Sequence, residues 1–248
     1  MRQDSLSIER FYGSDLGQAT ARLLRGRICD LWPSVKGMDV LGFGFPQPVL
    51  EPFADDAQTC IAALPSSGGH VRWDPTNRGN ATVSVPDFRL PFVDGLFHRA
   101  ILLHGLEEAE NPRALRREIW RVMAPEGRIV VAAANRRGLW ARAERTPFGH
   151  GRPWTRRQLT GFLSDGLFQV TASSHALFMP PLDLGLFTSA AEGWERTGEW
   201  MAPGLGGVVL VEAVKRLYSE PGGGAVAPAT VPARARKGAA QLPRDQAE

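Results

Sequence analysis

Apolar residues recur along this chain in short runs separated by amphipathic stretches, and that alternation gives an order of elements. Leu16, Ala19, Leu23, Ile28 and Leu31 return at helical spacing with Arg22, Arg25 and Arg27 between them, so 16–32 reads as an amphipathic helix. Ser14 suits its N-cap, and Pro33 ends it. The preceding Phe11-Tyr12-Gly13-Ser14 either folds over a ligand or anchors that helix. Val40 to Phe45 forms the first strand pattern, Val49 to Phe53 a short helix, and Thr59 to Leu64 a second strand. Ala81 to Val85 alternates more weakly as a third, and Leu96 to Leu103 is the apolar-rich run expected of a strand buried on both faces.

The second half repeats the scheme. Asn111 and Pro112 open a helix as N-cap and first residue, with Leu115, Ile119, Val122 and Met123 on its apolar face. Ala124-Pro125-Glu126-Gly127 turns the chain into a strand from Arg128 to Ala134. A helix from Thr155 to Leu163, a strand from Leu167 to Phe178, a helix from Leu184 to Trp200 and a strand from Gly207 to Val214 complete the order. Strands alternating with helices predict an α/β fold: a doubly wound, mostly parallel sheet with right-handed crossovers. Residues 1–36 are expected as a helical extension, 37–218 as the main domain, and 219–248, rich in Pro, Gly and Ala without periodicity, as a disordered tail.

Composition narrows the class. The 248 residues are 43% hydrophobic, enough for a packed core, and the formal charge of +3 is too small to imply nucleic acid. No apolar stretch is long enough to cross a bilayer, and the N-terminus lacks a signal-like apolar run, so a cytoplasmic protein is expected. Cys29 and Cys60, without metal-ligand spacing, read as small core residues, and the histidines share no spacing that suggests a metal site.

Three places carry candidate chemistry. The turn Gly42-Phe43-Gly44-Phe45-Pro46-Gln47-Pro48 joins a strand to a helix start, the shape that holds an anionic cofactor on free N–H groups. His104 follows a central strand, where sheets of this kind open onto a ligand crevice, and is the candidate general base; Glu107 and Glu108 after it read as solvated acids. The segment 135–157 holds seven arginines against the single acid Glu144, interleaved with Trp140, Phe148 and Trp154. It reads either as a solvated crossover or as a lid holding an anionic acceptor through residues such as Arg137, Arg145 and Arg152.

The block Leu90-Pro91-Phe92-Val93-Asp94-Gly95-Leu96-Phe97 resembles the "LPF-x-D-x-x-F" approach to the fourth strand of the class I S-adenosylmethionine (SAM) dependent methyltransferases. Residues 113–128 are similar to that family's "L-x-E-x-x-R-V-L-x-P-G-G" helix and turn. The resemblance spans roughly Asp39 to Val214 and implies a Rossmann-like, seven-stranded sheet with an antiparallel last strand. It implies SAM as cofactor, with contacts from Gly42, Gly44, Phe45, Leu64, Asp87, Phe88 and Leu103. A small-molecule or anionic acceptor would be held by Tyr12, Arg137, Trp140 and His150, with His104 catalytic. A protein partner fits the same fold. Nucleic acid is not expected, because the charge excess is small and local and no nucleic-acid motif accompanies it, and membrane is not expected for want of a long apolar run.

The family's first strand ends "V-L-D-x-G-x-G-x-G". Here Gly42 replaces the acid, Gly44 is retained, and Pro46 and Pro48 replace the next two glycines. Proline removes an N–H and the freedom in φ that lets a cofactor approach the backbone. The second strand ends Leu64-Pro65-Ser66, without the acid that pairs with the ribose hydroxyls. Two functions are therefore in view: methyl transfer from SAM, and a catalytically inactive methyltransferase-like module for interaction or regulation.

Overall fold

The computed structural model describes residues 3–77, 79–183, 188 and 190–217. The tail expected over 219–248 and the expected start of a helix at Leu184 lie outside the described residues. One seven-stranded sheet runs through the molecule, built from β1 (Asp39–Gly44), β2 (Thr59–Pro65), β3 (Thr82–Val85), β4 (Phe97–Leu103), β5 (Met123–Ala134), β6 (Phe168–Ala176) and β7 (Val208–Lys215). The strand order is β3-β2-β1-β4-β5-β7-β6. Every neighbouring pair is parallel except those of β7, which runs antiparallel to both β5 and β6. The doubly wound arrangement expected from the sequence is present, with its reversal of winding between β1 and β4.

Side-chain alternation sends each strand's residues to two different cores. Val40, Leu64, Ile101, Leu103, Val130 and Leu210 face one layer, packed beneath α1 (Ser5–Gly13), α2 (Asp15–Leu31) and the short α3 (Gln47–Leu50). Leu41, Phe43, Ala100, Leu102, Val131 and Val211 face the other, beneath α4 (Pro112–Val122) and α5 (Arg156–Ser164). A further helix, α6 (Ala191–Met201), joins the first layer through Ala191. No helix among the described residues is long and apolar enough to cross a membrane.

Local chemistry explains the boundaries. The Ser14 hydroxyl caps α2 by accepting from the Gly17 N–H, and Asn111 caps α4 through the Ala114 N–H. Thr155 and Gln158 make a reciprocal capping box on α5. Four boundaries differ from the pattern reading. The stretch before Ser14 is itself a helix, α1, which the pattern did not register. The helix expected over Val49 to Phe53 starts two residues earlier and ends in a 3-10 turn at Glu51–Phe53. Strand β5 begins at Met123, passing through the expected turn with Glu126 at φ +57° and an irregular register against β4. Leu167 and Leu177 sit at φ +65° and +62°, so β6 is cut to the residues between them. Cys60 is half-buried and unbridged, and burial pushes its thiol up to about 12.

At the strands' far ends a buried carboxylate ties the layers together. Glu212 on β7 accepts from Trp32 Nε1 (2.9 Å), Arg128 Nη1 (3.1 Å) and Thr171 Oγ1 (2.5 Å). Losing the acceptor leaves the indole N–H of Trp32, itself 2% exposed, without a partner. Glu212→Ala is expected to cost about 2–4 kcal/mol, and Glu212→Gln less because it keeps an acceptor. Urea denaturation of the two variants and the parent chain checks this ordering.

Candidate functional site

The crevice of such a sheet lies at the strand C-termini where the winding reverses, here between β1 and β4. Strand β1 leaves the sheet at Gly44, whose φ of +99° a side chain rarely adopts. A Cβ at Gly44 would stand 2.2 Å from the Leu103 carbonyl oxygen. The same carbonyl accepts from the Phe45 N–H at 2.7 Å, locking the β1 turn onto the end of β4. Gly42 is equally confined: its Cβ would meet Pro46 Cβ and Leu50 Cδ1, each at 2.5 Å. The space that a side chain at 42 would need is thus taken by the Pro46 ring and the Leu50 side chain.

His104, the first residue after β4, has φ +53°, a strained conformation for a residue with a side chain. It is 5% exposed, and burial pushes its pKa down to about 3. Its Nε2 lies 2.7 Å from the Tyr12 hydroxyl of α1. Burial, reinforced by the Glu107 carboxylate, holds the phenol well above its ordinary pKa. A neutral phenol and a neutral imidazole therefore share this hydrogen bond. The Tyr12 ring stacks on Phe45 at 6.0 Å between centroids, and Phe148 lies 4.5 Å from His104. Helix α1 is pinned at its other end as well, where the Gln3 N–H donates to both Glu108 carboxylate oxygens. These contacts make α1 a cover over the crevice, with Tyr12 its plug.

The remaining sequence candidates are distributed unevenly. Leu64 and Leu103 are wholly buried strand residues. Asp87 is half-buried, and Phe88, 67% exposed, stands away from the Tyr12 cluster in solvent. Arg137 is exposed. Trp140 is a core residue whose Nε1 donates to the Met179 carbonyl at 2.8 Å, and His150 Nε2 pairs with the Glu144 carbonyl. Glu107, expected to be solvated, is instead 5% exposed, and its Oε1 accepts from the Ala134 N–H at the end of β5. The sequence reading missed Gln47. It is 7% exposed, and neither Oε1 nor Nε2 has a hydrogen-bond partner among the described residues. Its only sequence signal was its position between two prolines.

Comparison with solved structures identifies the architecture. A SAM-dependent methyltransferase from Thermotoga maritima matches with a TM-score of 0.60 at 14% identity, covering 84% of this chain and 94% of its own. A Burkholderia thailandensis 1,6-didemethyltoxoflavin N1-methyltransferase, solved with its substrate and S-adenosylhomocysteine, matches at 0.52 and 15% identity, covering 79% and 78%. The fold is that of the class I SAM-dependent methyltransferases. The cyclase SpnF matches this chain too, with a TM-score of 0.58 and 21% identity over 82% and 83% of the two chains. No protein-family model and no curated protein sequence matches the chain.

The residues at the crevice do not fit SAM in the way the resemblance implies. The acid at 42 is absent and its space is taken, β2 ends without a carboxylate, Pro46 has no N–H, and every residue from Val40 to Leu50 is buried. His104 is shielded from solvent and too weakly basic to accept a proton near neutrality.

Because the unfolded chain protonates His104 near its ordinary pKa and the folded chain does not, stability falls as pH drops below about 6.5 toward 3. Between pH 7.5 and 5.0 this group accounts for about 2 kcal/mol. His104→Asn, which tolerates the same backbone angle, is expected to lose about that much less than the parent over the interval. Denaturation midpoints at the two pH values measure the difference.

Proposed function

We propose that this chain is a methyltransferase-fold protein that does not transfer methyl groups, its cofactor crevice having become core beneath α1, and that it works as a non-catalytic binding module. The observation that carries this reading is the buried Tyr12–His104 hydrogen bond, closed over Phe45 where β1 and β4 end. Opening the crevice would break that bond and expose the stacked rings to water. The aromatic surface alone is worth several kcal/mol at about 25 cal/mol per Å². A ligand that must displace α1 loses the same amount from its affinity.

A second reading, methyl transfer from SAM to an unidentified small-molecule or anionic acceptor, rests on Gln47. A buried amide without a partner costs about 1–3 kcal/mol, and a polar ligand entering beside it would recover that cost. The fold's company of SAM-dependent enzymes supports the same reading by analogy.

Thermal unfolding of the full chain with saturating SAM and with S-adenosylhomocysteine separates the two. A ligand present at about 100 times its Kd stabilises the folded state by about 2.7 kcal/mol. No shift with either compound is expected. A shift of that size with either one overturns the non-catalytic reading and favours methyl transfer.

A further inference from the structure

On the outer side of α1, away from the crevice, lies an open groove of about 1140 Å³. That is at the large end of small-molecule sites, which run from about 300 to 1,000 Å³. Arg10 and Phe11 of α1 form one wall, Leu139, Arg142 and Arg145 another, and Leu182 part of a third. Neither the β1 turn nor His104 lines it, so it is a separate site from the covered crevice.

Two features of the groove are unfinished. Leu139 and Leu182 are 59% and 45% exposed, apolar surface left in water at its walls. The guanidinium groups of Arg142 and Arg145 make no hydrogen bond or ion pair among the described residues. Arg10 is partly engaged, donating to the Leu6 carbonyl and Ser7 Oγ. The groove's two acids leave a positive balance against three arginines. Asp183 is occupied with the Leu16 N–H at the start of α2, and Glu144 is exposed.

The segment that presents Arg142 and Arg145 is firmly held. Trp140 is 1% exposed and bonded to Met179, and the Ala143 carbonyl accepts from both the Thr146 N–H (2.8 Å) and its Oγ1 (3.0 Å). The chain folds back so tightly that a Cβ at Gly149 would lie 2.3 Å from that carbonyl. Fixing the backbone in advance lowers the ordering cost of binding, and arginine matches carboxylate and phosphate oxygens in pairs.

We infer that this groove binds a small amphipathic anion, a carboxylate or phosphate monoester on an apolar body. The anionic end lies between Arg142 and Arg145, and the body rests on Phe11, Leu139 and Leu182.

The test uses the full chain and the fluorescent aromatic sulfonate 8-anilinonaphthalene-1-sulfonate. Saturable fluorescence is expected, displaced by decanoate or decyl phosphate at least about tenfold more effectively than by uncharged decan-1-ol. The two anions distinguish a carboxylate from a phosphate ligand. Arg142→Gln combined with Arg145→Gln should raise the Kd at least about tenfold at an unchanged unfolding midpoint. Arg156→Gln with Arg157→Gln, exposed but outside the groove, should leave it unchanged. Absence of saturable binding, displacement by the alcohol as effective as by the anions, or an unaltered Kd in the Arg142/Arg145 variant overturns the proposal. Neither readout involves SAM, so the outcome is separate from whether the crevice takes the cofactor.

Discussion

The hydrogen bond between the Tyr12 hydroxyl and His104 Nε2 is the contact on which the crevice end of this molecule depends. Its worth comes less from its own strength than from what its loss would strand: the polar atoms of two buried side chains. Burial keeps the imidazole neutral, and the bond anchors a side chain whose backbone conformation is costly for any residue but glycine. It also fixes α1, since few other polar contacts reach that helix from the sheet. From His104 the order continues outward through Phe148 to Trp140, whose rings meet edge to face at 5.5 Å. The rigidity of the arginine-bearing segment therefore begins at the same cluster that closes the crevice.

The changes in the β1 turn are one substitution in physical terms, not several. Gly42, Pro46 and Leu50 occupy a single volume, and a side chain at 42 would overlap the other two. Restoring a carboxylate at 42 would drive a charge into a buried proline and leucine without opening a path for a cofactor ammonium group. Gly44 has a reason in the fold itself: the turn presses onto the Leu103 carbonyl and Gly105, where a Cβ would not fit. A retained glycine here marks the geometry of the fold, and it is weak evidence for cofactor binding.

The parts of the structure that sequence made legible are those governed by local periodicity. The run from Leu96 to Leu103, the Asn111-Pro112 helix start and the apolar segment to Ala134 each satisfied a local rule. Strand β4 and helix α4 stand where those rules put them, and β5 does so at its end, its start lying five residues earlier. The sequence of α1 offered little: Ile8 and Tyr12 are its buried apolar side chains, too few for a helical stripe, and the helix is fixed by contacts to residues about a hundred positions away. Glu107 misled for the same reason. An acid after a strand is ordinarily solvated, but this one completes the backbone bonding of β5, which only the folded chain brings near it. The missing acids at 42 and after Leu64 were visible from the start, yet their meaning depended on what had filled their place.

A doubly wound sheet leaves a gap where its winding reverses, and a protein interior at crystal-like density does not leave such a gap empty. Enzymes of this fold fill it with cofactor. In this chain Tyr12, Phe45 and His104 pack together there, and Tyr12 comes from α1, which must lie across the strand ends to deliver it. A helix lying there presents successive residues about 100° apart. When Tyr12 points down into the crevice, Phe11 is turned to the outer side, where the groove lies. Covering one site and walling the other are consequences of the same placement of α1. A helix placed in this way supplies the outer wall without any further change of fold.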